Sequence, residues 1–172
     1  MATIERLTPQ TLVYHLLRLG TLLEDCVEGG ASIGFLWPMA PGEAERYWRS
    51  IIPAVESSER IVVIASQDAR IVGTGALELC MKANGMHRAE VSKLMVMRDA
   101  RHRGIGRDIM FALEDEARRH GRTTLVLDTF LDGGAEPLYR ALGWTEAGRV
   151  PEYATWPDGT LGATVYYYKL LS

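Results

Sequence analysis

Apolar positions recur along this chain with two different periods, and these periods predict its helices and strands. The first helical pattern comprises Leu12, Leu16, Leu19, Leu23 and Val27. Thr8 and Pro9 precede this pattern as a cap and a first helical residue, and Gly29-Gly30 follow it as a terminator. The spacing therefore predicts one continuous helix from Pro9 to the glycines.

Three further helices are predicted over residues 41–52, 107–120 and 136–142. Pro53 would stop the first of them. The helix over 107–120 has a predicted buried face made of Ile109, Met110, Leu113 and Ala117. Its predicted outer face carries two charge pairs at i,i+4: Glu114 with Arg118 and Asp115 with Arg119.

Short apolar runs bounded by turn residues predict seven strands: 3–7, 61–66, 71–81, 88–97, 123–129, 144–150 and 164–170. Turns are expected at Asn84-Gly85 and at Pro157-Asp158-Gly159. A helix separates strands 88–97 and 123–129, so these two should pair in parallel. We therefore expect a single α+β (mixed α/β) domain over residues 1–172.

Composition and charge narrow the classes of function. The 172 residues are 47% hydrophobic and carry a net charge of -3, which does not favour nucleic acid or an anionic membrane as partner. The two cysteines and four histidines lack metal-ligand spacing, so we expect free thiols and no metal site. Without a signal peptide or a membrane span in the sequence, a cytoplasmic location is expected.

Arg101-His102-Arg103-Gly104-Ile105-Gly106 connects a predicted strand to the helix that starts near Arg107. The first N–H groups of a helix have no partner inside it and point at whatever lies before the helix. Gly104 and Gly106 would let the backbone approach a ligand closely, and Arg101, Arg103 and Arg107 add positive charge. The segment predicts a local anion site.

Two nucleotide sites fit this segment poorly. A P-loop requires Gly-Lys-Ser/Thr, but Gly106 is followed by Arg107 and Asp108. A dinucleotide fingerprint requires Gly or Ala where Ile109 stands, although Asp128 lies near the position of its acidic residue. A dinucleotide-dependent oxidoreductase is thus a weak alternative hypothesis for this chain.

The segment 101–106 is similar to the pyrophosphate loop of the GNAT family of N-acetyltransferases, whose pattern is Arg/Gln-x-x-Gly-x-Gly/Ala. Residues 135–144 resemble the family's second signature, in which Tyr139 precedes Gly143-Trp144. Segments 29–35, 88–96 and 127–129 resemble the tabtoxin-resistance subgroup in particular. The resemblance implies a mostly antiparallel sheet of six to seven strands with one splayed parallel pair, four flanking helices, and acetyl-CoA as the acetyl donor.

The resemblance also implies roles for individual residues. The donor would be held by Leu94, Met95, Val96, Arg101, His102, Arg103, Gly104, Ile105, Gly106 and Arg107. Tyr139 would donate a proton to the departing sulfur, and Glu90 and Asp128 are candidate bases that the sequence alone does not rank. The competing structural roles are a core tyrosine for Tyr139, a solvent-facing strand residue for Glu90 and a cap or turn residue for Asp128.

The acceptor is expected to be the amine of a small amino-acid-like molecule, such as a toxin or antibiotic, attacking directly in a ternary complex. Ser32, Phe35, Trp37 and Tyr153, together with Trp156, are the candidate walls of its pocket. Two alternatives stay open: an acetyltransferase acting on protein lysines or N-termini, and a non-catalytic acyl-CoA-binding module. An exposed sheet edge expected near the last strand would allow a homodimer.

Overall fold

The computed structural model describes residues 2–156 and 158–171, and its centre is one seven-stranded sheet. The strands are β1 (Thr3–Arg6), β2 (Arg60–Gln67), β3 (Arg70–Leu79), β4 (Arg88–Val96), β5 (Thr124–Phe130), β6 (Thr145–Thr155) and β7 (Leu161–Leu170). Their order is β1-β2-β3-β4-β5-β7-β6. Among the described strands, only the β4–β5 pair is parallel, as the βαβ pattern predicts.

Helices cover both faces of the sheet. They are α1 (Pro9–Tyr14), α2 (Leu16–Glu28), α3 (Glu43–Ser50), α4 (Ile52–Glu56), α5 (Ile105–Arg119) and α6 (Glu136–Ala141). Consecutive residues of β2 and β3 are buried, which requires cover on both sides. Helix α5 packs against β2, β3 and β4, and α2 packs against β3, β4 and α3.

The first predicted helix is two helices. Thr8 caps α1 as expected, with its side chain accepting from the Thr11 N–H in a reciprocal capping box. The chain leaves helical geometry at His15 (φ -98°, ψ 5°), and α2 then runs to Glu28 with Gly29 as its cap. Apolar spacing continues from Leu12 to Leu16 across this break, so periodicity alone does not detect it.

A second local prediction is wrong, whereas the expected turn between the antiparallel strands β3 and β4 is confirmed. Pro53 does not end the second helix but lies in the first turn of α4, where a proline costs no hydrogen bond. The Asn84-Gly85 turn is a 3₁₀ turn over Ala83–Gly85, closed by the Gly85 N–H donating to the Lys82 carbonyl at 2.8 Å. The predicted turn at residues 157–159 includes Pro157, which lies outside the described residues.

The predicted inner face of α5 is confirmed; of the two predicted i,i+4 pairs, Glu114–Arg118 is present at 3.9 Å, whereas Asp115 and Arg119 have other partners. Ile109, Met110, Leu113 and Ala117 are fully buried. Glu114 is nevertheless buried, and its Oε1 lies 2.6 Å from the Nζ of Lys169 on β7. Asp115 instead pairs with Arg118, and Arg119 pairs with Glu116.

Two glycines of β3 set the height of α5 above the sheet. A Cβ on Gly73 would lie 2.8 Å from Ile109 Cδ1, and one on Gly75 would lie 2.7 Å from Ile109 Cγ2 and 2.9 Å from Leu113 Cδ1. Any side chain there would push the helix outward. The glycines therefore fix the position of the α5 N-terminus relative to β4.

The parallel strands β4 and β5 pair over only three positions, Arg88–Glu90 with Thr124–Val126. Beyond Glu90, β4 stays paired with β3 as far as Val96, while β5 stays paired with β7 as far as Phe130. The two strands therefore diverge and leave a cleft between their carboxyl ends. The free edge of the sheet on this side is β6, not the last strand β7, and it is exposed along almost its whole length.

Candidate active site

A cleft of about 670 Å³ occupies the gap between the diverging strands β4 and β5. Its walls come from β4, the turn before α5, the end of β5, the start of α6 and the segment after α2. In open α/β sheets, ligands bind outside the carboxyl ends of strands, which is where this opening lies. The cleft joins residues that are far apart in the sequence.

One end of the cleft is formed by the turn that the sequence singles out. Helix α5 begins at Ile105, two residues before the predicted start, with Gly104 as its cap in the left-handed region (φ 81°). The N–H groups of residues 102–107 donate to no acceptor among the described residues, whereas the Asp108 N–H donates to the Gly104 carbonyl. The cleft thus ends at a row of free N–H donors on a helix N-terminus.

The arginines of this turn have different positions. Arg101 donates from Nε to the Val96 carbonyl at 3.1 Å and lines the cleft. Arg107 also lines the cleft and pairs with Asp108 at 3.0 Å. Arg103 turns away and donates to the Asp99 carbonyl at 2.8 Å, so its side chain lies outside this cleft.

The β4 wall contains Leu94, Met95 and Val96, which all line the cleft. A bulge opposite Thr74–Ala76 shifts the register of β4 against β3, and Lys93 adopts φ 52° there. The Met95 side chain is buried, while Leu94 and Val96 are half-buried. Because β5 has diverged here, the edge of β4 facing it has no neighbouring strand among the residues that the structure describes.

Tyr139 lies on α6 and lines the cleft. Its ring packs near Trp144 and Tyr167, with centroids 6.2 and 6.0 Å away, and burial raises the pKa of its hydroxyl well above the usual range. The neighbouring Asp128 charge raises this pKa further. Tyr139 is therefore a protonated phenol at neutral pH, and its hydroxyl donates to no other described residue.

The buried Glu136 anchors α6. Its Oε1 accepts from the Asp132 N–H at 2.7 Å, and its Oε2 accepts from the Tyr167 hydroxyl at 2.6 Å and from Arg140 at 3.0 Å. These bonds tie the start of the helix to β7, and they hold Tyr139 in position.

The two candidate carboxylates occupy different positions. Asp128 lines the cleft near the end of β5, and its Oδ2 lies 2.9 Å from Thr164 Oγ1. Glu90 is outside the cleft lining, on β4 opposite Glu78 of β3. Burial raises the pKa of Glu90, and the charges of Glu78 and Asp128 raise it further.

The lining at the end of β5, which we call the aromatic end, includes two aromatic rings. Phe130 and Trp156 line it with ring centroids 4.2 Å apart, and Ser32 contributes from the segment after α2. Phe35, Trp37 and Tyr153 are not among the lining residues.

Each of those three side chains has another environment. Phe35 packs against Tyr47 at 5.2 Å, the exposed Trp37 lies in the segment before α3, and the Tyr153 hydroxyl pairs with that of Tyr166 at 2.8 Å.

Many lining residues were absent from the predicted site, and three of them have reactive, charged or aromatic side chains: Cys26, Lys93 and Phe130. Cys26 lies on α2 with Sγ 3.5 Å from the Val96 carbonyl. Lys93 adjoins a predicted donor segment, and its bulge has no local sequence signal. Phe130 follows Asp128 by two residues, so strand alternation places both on one face, and this signal could have identified it.

The chain matches the family model described as "Acetyltransferase (GNAT) family" over residues 18–144. It belongs to the GNAT acetyltransferase family. An N-acetyltransferase in the hisH-hisA intergenic region of Azospirillum brasilense is 29% identical over 137 residues, covering 77% of this chain and 80% of the relative. An IAA acetyltransferase of the same organism is 29% identical over 128 residues, covering 67% and 80%.

The fold is shared with yncA, a putative acetyltransferase from Salmonella typhimurium solved with its cofactor acetyl-CoA. The TM-score is 0.80 at 17% identity, and the match covers 100% of this chain and 95% of that one. This GNAT protein is therefore an acetyl-CoA-dependent N-acetyltransferase. In the described part of the chain, no helix is long and apolar enough to cross a membrane, and no group of three or more metal-ligating side chains lies together.

Proposed function

We propose that this GNAT enzyme acetylates the amine of a small amino-acid-like acceptor by direct attack in a ternary complex. The observation that carries this proposal is one continuous cleft with free backbone N–H groups at one end, Tyr139 in its wall and Asp128 toward the aromatic end. An acetyl donor and an amine can meet in such a cleft without a covalent enzyme intermediate. The donor would occupy the N–H-rich end, and the acceptor the aromatic end.

The residues at the α5 N-terminus fit a pyrophosphate. A Cβ on Gly104 would lie 3.1 Å from Arg107 Nη2, and a Cβ on Gly106 would lie 3.3 Å from Leu138 Cδ2, so side chains would fill the space above the N–H groups. Free N–H groups, a helix dipole and the charge of Arg107 all favour an anion there. Backbone groups of Leu94–Val96 would pair with the extended arm of the donor, as an added strand does.

Acetyl-CoA supplies an activated acyl carbon, at which an N–C bond forms as the C–S bond breaks. Asp128 accepts the proton that the ammonium must lose before attack, directly or through water. Tyr139 gives its proton to the departing sulfur, and the second proton that the attacking nitrogen loses as the amide forms returns to Tyr139 through water. The balance is one ammonium and one thioester consumed, with one amide, one thiol and one proton formed. Glu90 adds negative charge that favours the cationic form of the acceptor near Asp128.

Thiol release from acetyl-CoA with a panel of amino acids, aminoglycosides and peptides tests this function. We expect turnover with at least one amino acid and none with lysine-containing or N-terminal peptides. Asp128→Asn should lower kcat/KM by about 10²- to 10⁴-fold, the range of general base catalysis. Turnover with peptides only would overturn the proposal in favour of a protein acetyltransferase. Retained CoA binding without turnover of any amine would favour a binding module.

A further inference from the structure

Lys93 is a cation enclosed by aromatic rings at the edge of the cleft. The bulge in β4 gives it φ 52°, a conformation uncommon for residues other than glycine. Its Nζ lies 5.8 Å from the centroid of Phe35 and 5.4 Å from that of Tyr47, and a Cβ on Gly34 would lie 3.8 Å from it. The loop after α2 and helix α3 thus hold the ammonium in a defined place beside the cleft that Lys93 lines.

This ammonium has no anionic partner within the described residues. It makes no hydrogen bond or ion pair there, although most other basic side chains near the cleft do. Three carboxylates act electrostatically on Lys93 but lie beyond the 4.0 Å of an ion pair: those of Glu78, Asp128 and Glu90. Burial lowers the pKa of Lys93, as expected for a charge removed from water without full compensation.

Two other charged side chains near Lys93, those of Arg60 and Glu78, pair with each other. Arg60 pairs with Glu78 at 2.6 Å and lies 3.4 Å from the Tyr47 hydroxyl, so this arginine is not free for a ligand. Ser92 donates to the same Glu78 carboxylate at 3.0 Å. Once this pair is set aside, two carboxylates, Glu90 and Asp128, and one cation, Lys93, remain within electrostatic reach of one another. This arrangement is complementary to a zwitterion.

We propose that Lys93 is a specificity-determining residue that binds the carboxylate of the acceptor, so that the enzyme selects amines bearing a carboxylate. The inference rests on the proposed function, since it concerns the acceptor of that reaction. The acceptor's ammonium faces Asp128, to which Glu90 adds negative charge from outside the cleft lining, and its carboxylate faces Lys93. Binding the ammonium and the carboxylate at two separate side chains orients the amine before it loses its proton.

If Lys93 had a purely structural role, its replacement would affect the acceptors in a different way. A lysine retained only for its contacts with Phe35 and Tyr47 would contribute to stability and affect all acceptors equally. A carboxylate-binding lysine changes only the discrimination between an acid and its neutral analogue. The comparison of one amino acid with its own carboxamide isolates this difference, because the two differ little in size.

The experiment measures kcat/KM for the best amino-acid acceptor and for its carboxamide in four proteins: wild type, Lys93→Met, Lys93→Arg and Lys82→Met. Lys82 is an exposed lysine outside the cleft, and its variant has the same change in charge. We expect the wild type to prefer the acid by about tenfold or more, as for a charge-assisted hydrogen bond. Lys93→Met should abolish the preference through KM for the acid, Lys93→Arg should keep part of it, and Lys82→Met should keep all of it.

Equal preference in wild type and Lys93→Met would overturn the assignment, as would a wild type that does not prefer the acid. Failure of wild type to turn over any amine would instead overturn the proposed function. Thermal unfolding with and without CoA shows whether Lys93→Met folds and binds the donor. Should it not fold, the acid-to-amide ratio of wild type and of Lys93→Arg still decides the question.

Discussion

Replacing Tyr139 by Phe should separate chemistry from stability. The Tyr139 hydroxyl donates to no other described residue, so its removal leaves no buried partner unsatisfied, and the ring contacts with Trp144 and Tyr167 remain. We expect the free energy of unfolding to change by less than about 1 kcal/mol. Loss of a positioned acid should lower kcat by about 10²- to 10⁴-fold. That range corresponds to a barrier increase of about 2.7–5.4 kcal/mol.

The assay is thiol release at saturating acetyl-CoA and varied amine, beside urea unfolding of the same proteins. Tyr168 is an exposed tyrosine of β7 outside the cleft, and Tyr168→Phe is the matched control, expected to leave both measurements unchanged. KM for the amine should change little in Tyr139→Phe, because the proton is needed only as the C–S bond breaks. A kcat within about threefold of wild type would refute the acid role, since general acid catalysis contributes at least about 10²-fold.

Two further predictions concern packing and pH. Gly75→Ala should destabilise the protein by about 1–3 kcal/mol, because the methyl group would meet the buried Ile109 at 2.7 Å. Thermal unfolding measures the change, with Gly134→Ala as the control, because a Cβ there would have open space around it and should be neutral. Equal melting temperatures for Gly75→Ala and Gly134→Ala would contradict this account of the packing. The raised pKa of Glu90 means that its negative charge is lost early as pH falls, so KM for a cationic amine should rise on acidification. Glu90→Gln should give a high KM that no longer varies in that range, and an unchanged profile would remove Glu90 from acceptor binding.

The fold could be predicted from the sequence where the signal is local. Strand runs, the Thr8 cap and the βαβ unit are all confirmed, because alternation and capping depend on neighbouring residues. The break at His15 could not be predicted, since Leu12 and Leu16 keep helical spacing on both sides of it. Burial of Glu114 could not be predicted either, because its partner Lys169 follows much later in the chain.

The candidate site also has one part that the sequence predicts from a local signal and another part that it does not. The turn at residues 101–106 carries its glycines and arginines in one short segment, and the structure places its free N–H groups at the end of the cleft. The acceptor side has no such segment. Phe130, Trp156 and Lys93 come from separate parts of the chain, and the sheet register and the β4 bulge bring them to one cleft.

This division has a physical consequence for specificity. The donor end depends on backbone N–H groups, which a side-chain substitution leaves in place while the helix start is kept. The acceptor end depends on side chains such as Lys93 and Trp156, so single substitutions there can change which amine binds while α5 and β4 keep their positions. The Arg60–Glu78 pair strengthens this separation, because it neutralises two charges beside the acceptor region and leaves Lys93 as the cation available to an acceptor's carboxylate within the described chain. Changing the charge at position 93 should therefore alter the range of acceptors before it alters affinity for the donor.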